Sequence, residues 1–343
     1  YFYRNKMEFS FSNNRWLSRY EIDSGKDIQQ KNALGFHIPG MWDKILDLNT
    51  CHLQQDPSNA IRNEVKRFAI EHDLSFFDVR KQSGLLRTLM IRTTSTEEVM
   101  VLIQFYDDEQ DQRELLLNHL NNTFPEITAL LYVINQKAND TIFDQEVFCY
   151  YGQEYITEKM EDLAFKIDAK SFYQTNSKQA FELYKIARAY ALLQGDEVVY
   201  DLYTGTGTIA QFIAKQAKKV IGIEAIPEAI EKAKTNAKDN EIENCKFVVG
   251  DIKKVFTADF VNKHGQPDVI ITDPPRDGMH KDVVKVLLQL KAKRIVYVSC
   301  NSATQARDLE MLAEIYIISK VKPVDMFPQT HHVENVVALE LKT

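Results

Sequence analysis

The feature that most limits what this chain can fold into is a series of short apolar segments, each ending near an acid or a cysteine and each followed by a helical stretch. They read VVYDLY, VIGIEA, KFVVGD, DVIITD and RIVYVSC and fall between residues 198 and 300. Apolar strands that alternate with helices are covered on both faces, which predicts a parallel, doubly wound α/β sheet. Pro227 stands where a helix following Glu224 wants its first residue. Two more strand-like runs, IYIISKVKPVDMF and VENVVALEL, close the sequence.

Before residue 170 the pattern is different. Runs such as KMEFSFS, LGFHIPG, LLRTLMIRTT, EEVMVLIQF and ITALLYVINQ alternate with turns, and helical stretches lie around Ser58–His72 and Gln112–Thr123. This mixture predicts a smaller α+β domain on an antiparallel sheet. A chain of 343 residues suits two domains, and the change of pattern sets them at 1–168 and 169–343. No run of about 18 apolar residues occurs, so a membrane span is not expected. The chain starts at Tyr1 with no signal-peptide pattern and reads as a fragment lacking its front. Its four cysteines are scattered without CxxC pairs, which points to a reducing, cytoplasmic setting. The net charge of −7 argues mildly against a nucleic-acid partner. Residues 1–19, however, carry four basic groups against one acid, making Arg4 and Lys6 candidates for phosphate contacts.

The first strand of the second half ends in DLYTGTGTIA. Gly205 and Gly207 permit a tight turn and let a ligand approach the backbone before a helix begins. With Ala210 they satisfy the dinucleotide fingerprint, a weak signal alone. Glu224 follows Asp201 by 23 positions, the spacing of a carboxylate on ribose hydroxyls. Asp251 and Asp273 end the next two strands. A ring of carboxylates suits the cation S-adenosylmethionine better than an anionic pyrophosphate, although each acid alone could be a helix cap.

Cys300 ends the strand beside the one bearing Asp273 and should face the same cleft. A strand-end thiol is either a small buried hydrophobe or a nucleophile. Beside a methyl donor the second role has a use. Carbon 5 of a pyrimidine becomes a carbanion-like nucleophile only after a thiolate has added to carbon 6. A base must then remove the carbon-5 proton. Glu334, in PQTHHVENVV, is a candidate for that base; it could equally be a surface acid on a late strand.

Taken in order, DLYTGTGTIA, DPPRDG, VYVSCNSATQARDLEML and DMFPQTHHVENVVALE resemble the RNA (uracil-5-)-methyltransferase family of 23S rRNA and transfer RNA enzymes. YRNKMEFSF and SFYQTNSKQAFELY resemble it too, so the likeness covers nearly the whole chain. It implies a Rossmann-like methyltransferase domain, with Cys300 as nucleophile and Glu334 as proton-abstracting base. It also implies cofactor contacts from Gln174, Tyr203, Thr208, Glu224, Asp251 and Asp273, beside Gly205 and Gly207. Phe172 and Gln174 would lie near the target uracil. The protein is expected to act on RNA as a monomer.

Two departures sharpen the comparison. The glycine loop carries Thr204 and Thr208 where the family often has Cys and Asn. Many ribosomal members also have an N-terminal TRAM domain and three clustered cysteines of a 4Fe–4S site, neither of which is in this sequence. Cys51, in DLNTCHLQQ, resembles the fourth cluster ligand, which favours 23S rRNA over transfer RNA; this chain alone should hold no intact cluster. The rival classes fit less well. An NAD-dependent oxidoreductase has no use for Cys300 with Glu334. An amino-group methyltransferase wants an aromatic where Arg276 stands. A cytosine carbon-5 enzyme shares the cysteine, but the glutamate of HHVEN fits the uracil family better. A non-catalytic RNA-binding module leaves the Cys–Glu pair unexplained.

Overall fold

The structure is a computed structural model and describes residues 1–342. The chain divides into two compact units, Tyr1–Glu158 with Ile167–Lys170, and Lys159–Lys166 with the chain from Ser171 onward.

The first unit runs β1 (Lys6–Ser12), α1 (Arg19–Asp23), β2 (Ala33–Ile38), β3 (Met41–Asp47), α2 (Ser58–Glu71), β4 (Leu86–Thr93), β5 (Val99–Phe105), α3 (Gln110–Thr123), β6 (Ile127–Ile134) and β7 (Phe148–Gly152). The hairpin β8 (Tyr155–Met160) and β9 (Leu163–Asp168) follows. A seven-stranded sheet has the order β3-β2-β1-β4-β5-β6-β7. Its pairs are antiparallel as expected, with one correction: β5 and β6 are parallel. The chain between them forms α3, and a crossover helix lets consecutive strands run in the same direction. Ile61, Val65 and Phe68 of α2, and Leu116, Leu117 and Leu120 of α3, pack with Phe9, Leu89, Ile91, Val101 and Ile103 of the sheet. Each such side chain, fully buried, contributes about 1.5–3 kcal/mol of transfer free energy.

The second unit continues with α4 (Ser177–Ala191), β10 (Val198–Leu202), α5 (Thr208–Ala214), β11 (Lys219–Glu224), α6 (Pro227–Asp239), β12 (Cys245–Val249), α7 (Ile252–Val255), α8 (Ala258–His264), β13 (Val269–Thr272), α9 (Lys281–Leu290), β14 (Arg294–Ser299), α10 (Ser302–Leu312), β15 (Tyr316–Val324) and β16 (Glu334–Leu341). Its sheet has the order β12-β11-β10-β13-β14-β16-β15. Strands β10 to β14 are parallel and almost wholly apolar; Tyr200, Ile221, Ile270, Ile295 and Tyr297 are fully buried. The strand order reverses between β10 and β13, the place where an open α/β sheet leaves a crevice at its carboxyl ends.

The expectation of a wholly parallel sheet needs correction here. Strand β16 lies between β14 and β15 and is antiparallel to both. Only nine residues join β15 to β16, too few for the crossover that a parallel return requires. The consequence is local and large: β16 enters the sheet at the same end at which β14 leaves it.

Candidate active site

The crevice floor is the turn after β10. Tyr203, Gly205 and Gly207 all have positive φ, at 61°, 54° and 77°. The two glycines are needed for different reasons. A Cβ on Gly207 would meet the Phe247 ring at 2.7 Å, whereas one on Gly205 would meet nothing within 4 Å. Gly207 is therefore a packing requirement, and Gly205 borders open space where a ligand can approach.

Asp201 lies beneath this turn, buried, and accepts the Thr204 hydroxyl. Burial pushes its pKa up to about 7. Glu224 ends β11, and its carboxylate accepts from the backbone N–H groups of Gly205 at 3.2 Å, Ala225 at 2.7 Å and Ile226 at 3.1 Å. A carboxylate has about four lone-pair sites, so one is left for a hydroxyl. Asp251 is exposed and caps α7 by accepting from the N–H of Lys253. Tyr203 stands in the field of Asp251 and Glu224, though burial is the main reason its hydroxyl pKa rises to about 12. Thr208 is buried at the start of α5, with its hydroxyl 3.4 Å from that of Thr206.

On the other side of the crevice, Asp273 follows β13. Its carboxyl is pushed well above the usual range, first by burial and then by Glu334 and Asp201. Gln174 hydrogen bonds the hydroxyl of Tyr184, a buried residue of α4 that feels the charge of Asp273. Phe172 is exposed just before that helix.

Cys300 and Glu334 meet because of the antiparallel insertion. The β14–β16 register pairs Ser299 with Asn335, so Cys300 and Glu334 are the next residue on each side of the ladder end. Glu334 is buried, and desolvation lifts its pKa to about 7 against the opposing pull of Arg276. The Cys300 thiol is also raised, by burial first and then by Glu334 and Asp273, while Arg276 lowers it. The backbone carbonyl of Arg276 accepts from Asn301 Nδ2 and Thr304 Oγ1, both at 3.1 Å, so the DPPR loop is tied to the start of α10. Gly278 has φ 74°, and a Cβ there would lie 2.8 Å from the Asp308 carboxylate, which explains the glycine of DPPRDG.

Sequence reasoning missed several residues that shape this corner. Gln305 of α10 is buried and donates to the carbonyls of Tyr297 at 3.0 Å and Asn335 at 3.2 Å, while its own oxygen accepts from Asn335 Nδ2 at 2.7 Å. One amide thus joins α10, β14 and β16. Asn176 caps α4 and donates to the carbonyl of Met326 at 2.8 Å. Gln305 and Asn335 both lie inside motifs already singled out, but only the fold shows that they bond each other. Tyr184 and Asn176 lie inside the quoted segment SFYQTNSKQAFELY, but nothing in that segment marked them apart from their neighbours.

The remaining candidates belong to the first unit. Arg4 is half-buried, its backbone N–H donating to the carbonyl of Leu53, and Lys6 forms an ion pair with Glu8 at 2.6 Å. Cys51 is buried, with its backbone clamped by the Asn59 amide. Among the described residues no group of three or more His, Cys, Asp or Glu is placed to hold a metal. No described helix is long and apolar enough to cross a membrane.

A family model described as tRNA (uracil-5-)-methyltransferase matches residues 79–342. An uncharacterized RNA methyltransferase of Bacteroides thetaiotaomicron is 58% identical over 344 residues, covering 99% of this chain and 76% of that protein. One from Porphyromonas gingivalis is 57% identical over 349 residues, covering 100% and 75%. Among solved structures, the tRNA (uracil-54, C5)-methyltransferase of Pyrococcus abyssi in complex with S-adenosyl-L-homocysteine superposes with a TM-score of 0.78 at 30% identity, covering 98% of this chain and 76% of that one. The chain therefore belongs to the tRNA (uracil-5-)-methyltransferase family, and is an S-adenosylmethionine-dependent RNA methyltransferase with a Rossmann-like α/β domain.

Proposed function

We propose that the protein methylates carbon 5 of a uridine in 23S rRNA through a covalent adduct between Cys300 and the base. The observation that carries this reading is the placement of Cys300 and Glu334 at one ladder end, facing Asp273 and Arg276.

The Cys300 thiol loses its proton to solvent, and its sulfur bonds to carbon 6 of a uracil turned out of its stack. The electron pair of the C5–C6 double bond moves onto carbon 5 and the carbonyl beyond it. S-adenosylmethionine, when bound, supplies the methyl group that carbon 5 takes up. Glu334 then accepts the carbon-5 proton; the C–H electron pair restores the double bond, the C6–S bond breaks, and the thiolate leaves. A carboxyl with pKa about 7 is a far stronger base than an ordinary glutamate and is still half ionised at neutral pH. Arg276 offsets the charge of the thiolate and the carboxylate.

Gly205, Gly207, Tyr203, Thr208, Glu224, Asp251, Asp273 and Gln174 are the proposed cofactor contacts. The open face of Gly205 and the carboxylates gathered around the crevice fit a sulfonium ligand bearing ribose hydroxyls. Phe172 and Gln174 are proposed to receive the uracil. Residues 1–168 are proposed as an RNA-binding domain in which Arg4 and Lys6 contact phosphates, and residues 169–343 as the catalytic one. The likeness of Cys51 to a cluster ligand supports rRNA as substrate. Transfer RNA is the second reading, favoured by the name of the Pyrococcus neighbour. We further propose a cytoplasmic monomer.

Tritium release from 5-tritiated uridine in 23S fragments and in transfer RNA transcripts decides both the chemistry and the substrate. Cys300→Ala should abolish release while leaving S-adenosylhomocysteine binding intact. Turnover by that variant would reduce the thiol to a packing residue.

A further inference from the structure

The second unit has an open groove of about 1200 Å³ along the unpaired edge of β12, between α6 and α8. No step of the proposed reaction uses it. Strand side chains alternate between faces, so Lys246 and Val248 share one face of β12. Val248 packs in the cluster that contains Phe260 of α8. Phe260 and Phe247 line the groove as half-buried rings, and the buried His264 ring lies 4.4 Å from that of Phe260.

The same end of the groove concentrates positive charge. Lys219 donates from Nζ to the carbonyl of His264 at 2.7 Å. Burial holds the Lys219 and His264 pKa values down; Lys219, Lys263 and Lys246 lower that of His264 further, and Lys246 lowers that of Lys219. Lys246 and Lys263 are exposed and form no ion pair among the described residues, and the buried Nδ1 of His264 has no hydrogen-bond partner. Glu241, Glu243 and Asp259 also line the groove, but none of them forms an ion pair with these lysines. Unneutralised lysines beside aromatic rings are the elements with which proteins follow a single nucleic-acid strand: cations for phosphates and rings for bases.

We propose that this groove holds a single-stranded segment of the RNA substrate outside the active site, with Lys246 and Lys263 on phosphates and Phe260 against a base. The groove reaches Val255, at the end of the short helix that Asp251 caps, so it runs from the amino end of β12 toward the cofactor side of the sheet.

The inference rests on the RNA-methylation reading and has its own test. A fluorescein-labelled single-stranded RNA and the uridine substrate would be titrated at several salt concentrations with wild type and with Lys246→Gln/Lys263→Gln. Both lysines are exposed, so the variant should fold, and S-adenosylhomocysteine affinity serves as the control. Losing two phosphate contacts should shallow the slope of log K against log salt by about 1.4 and weaken RNA binding most at low salt. KM for RNA should rise while kcat stays unchanged. An unaltered slope and affinity, with wild type still methylating uridine, overturns the groove alone. Failure of wild type to bind or methylate RNA overturns the underlying reading as well.

Discussion

The glycine turn after β10 and the corner between β14 and β16 both bring acids into one crevice, yet they are built in opposite ways. The turn is local. Asp201, Thr204, Gly205 and Gly207 lie within seven residues, and Glu224 is held by backbone N–H groups around it. The corner joins residues 34 positions apart in sequence through an antiparallel strand that enters a parallel sheet. The turn satisfies the Glu224 carboxylate with hydrogen bonds. The corner buries Glu334 with no cation closer in effect than Arg276, and its pKa climbs. The contrast holds for Glu224 against Glu334 and not for every acid of the crevice, since burial also raises Asp201 beneath the turn to about 7.

Glu334→Gln should separate the two regions most sharply. Turnover should fall by about 10²–10⁴ as methylated RNA stays attached to Cys300, visible as a slow band on a denaturing gel, with cofactor affinity unchanged. The single-turnover rate of wild type should rise with pH through about 7, because Glu334 must be ionised and the raised Cys300 thiol must lose its proton. Stability gives the sign independently. A carboxyl raised from the ordinary glutamate value of about 4.5 to about 7 destabilises the fold as pH rises between those values, and the whole cost is present above about 7. The Gln variant should therefore melt higher than wild type at alkaline pH, and the gap should close on acidification. A gap that widens toward low pH would refute the buried, raised carboxyl.

The glycine turn breaks differently. Gly207→Ala forces a Cβ against Phe247 in a left-handed backbone and should cost about 2–4 kcal/mol in urea melts. Gly205→Ala, with open space before it, should cost about 1 kcal/mol and act mainly on cofactor affinity. Equal losses from the two would contradict the distinction between packing and access.

Glu224→Ala should weaken S-adenosylhomocysteine binding by roughly 1–3 kcal/mol, measured by calorimetry, without trapping an adduct. An unchanged affinity removes Glu224 from the site.

The smallest effect is expected at Gln305. Gln305→Ala should lower stability by about 1 kcal/mol and, by loosening β16 against β14, lengthen the lifetime of the adduct more than it slows its formation. Slowing of both steps alike would make Gln305 structural only.

Much of this was legible in sequence because it is encoded locally. The strands from β10 to β14 are short, mainly apolar runs, Pro227 opens α6 as expected, and the positive-φ turn announces itself through its glycines. Other elements left weaker signals. Strand β7 is only five residues long and reads FCYYG, so its sequence shows no apolar–polar alternation although its burial alternates at the start. The direction of β6 depends on α3 crossing over rather than on its own residues. The composition of Asp251 could not distinguish a helix cap from a ligand contact, and the structure shows it capping α7.

By itself, then, the sequence determined which residues carry reactive groups and which segments are strands, since residue type and hydrophobic period belong to contiguous stretches of chain. Only the tertiary structure decided that β16 runs antiparallel between β14 and β15, that Glu334 comes to the ladder end beside Cys300, and that Gln305 and Asn335 bond each other. Register is a property of two strands together, and desolvation is a property of everything packed around a group. Neither can be read from one segment, and together they set the charge on the proposed base.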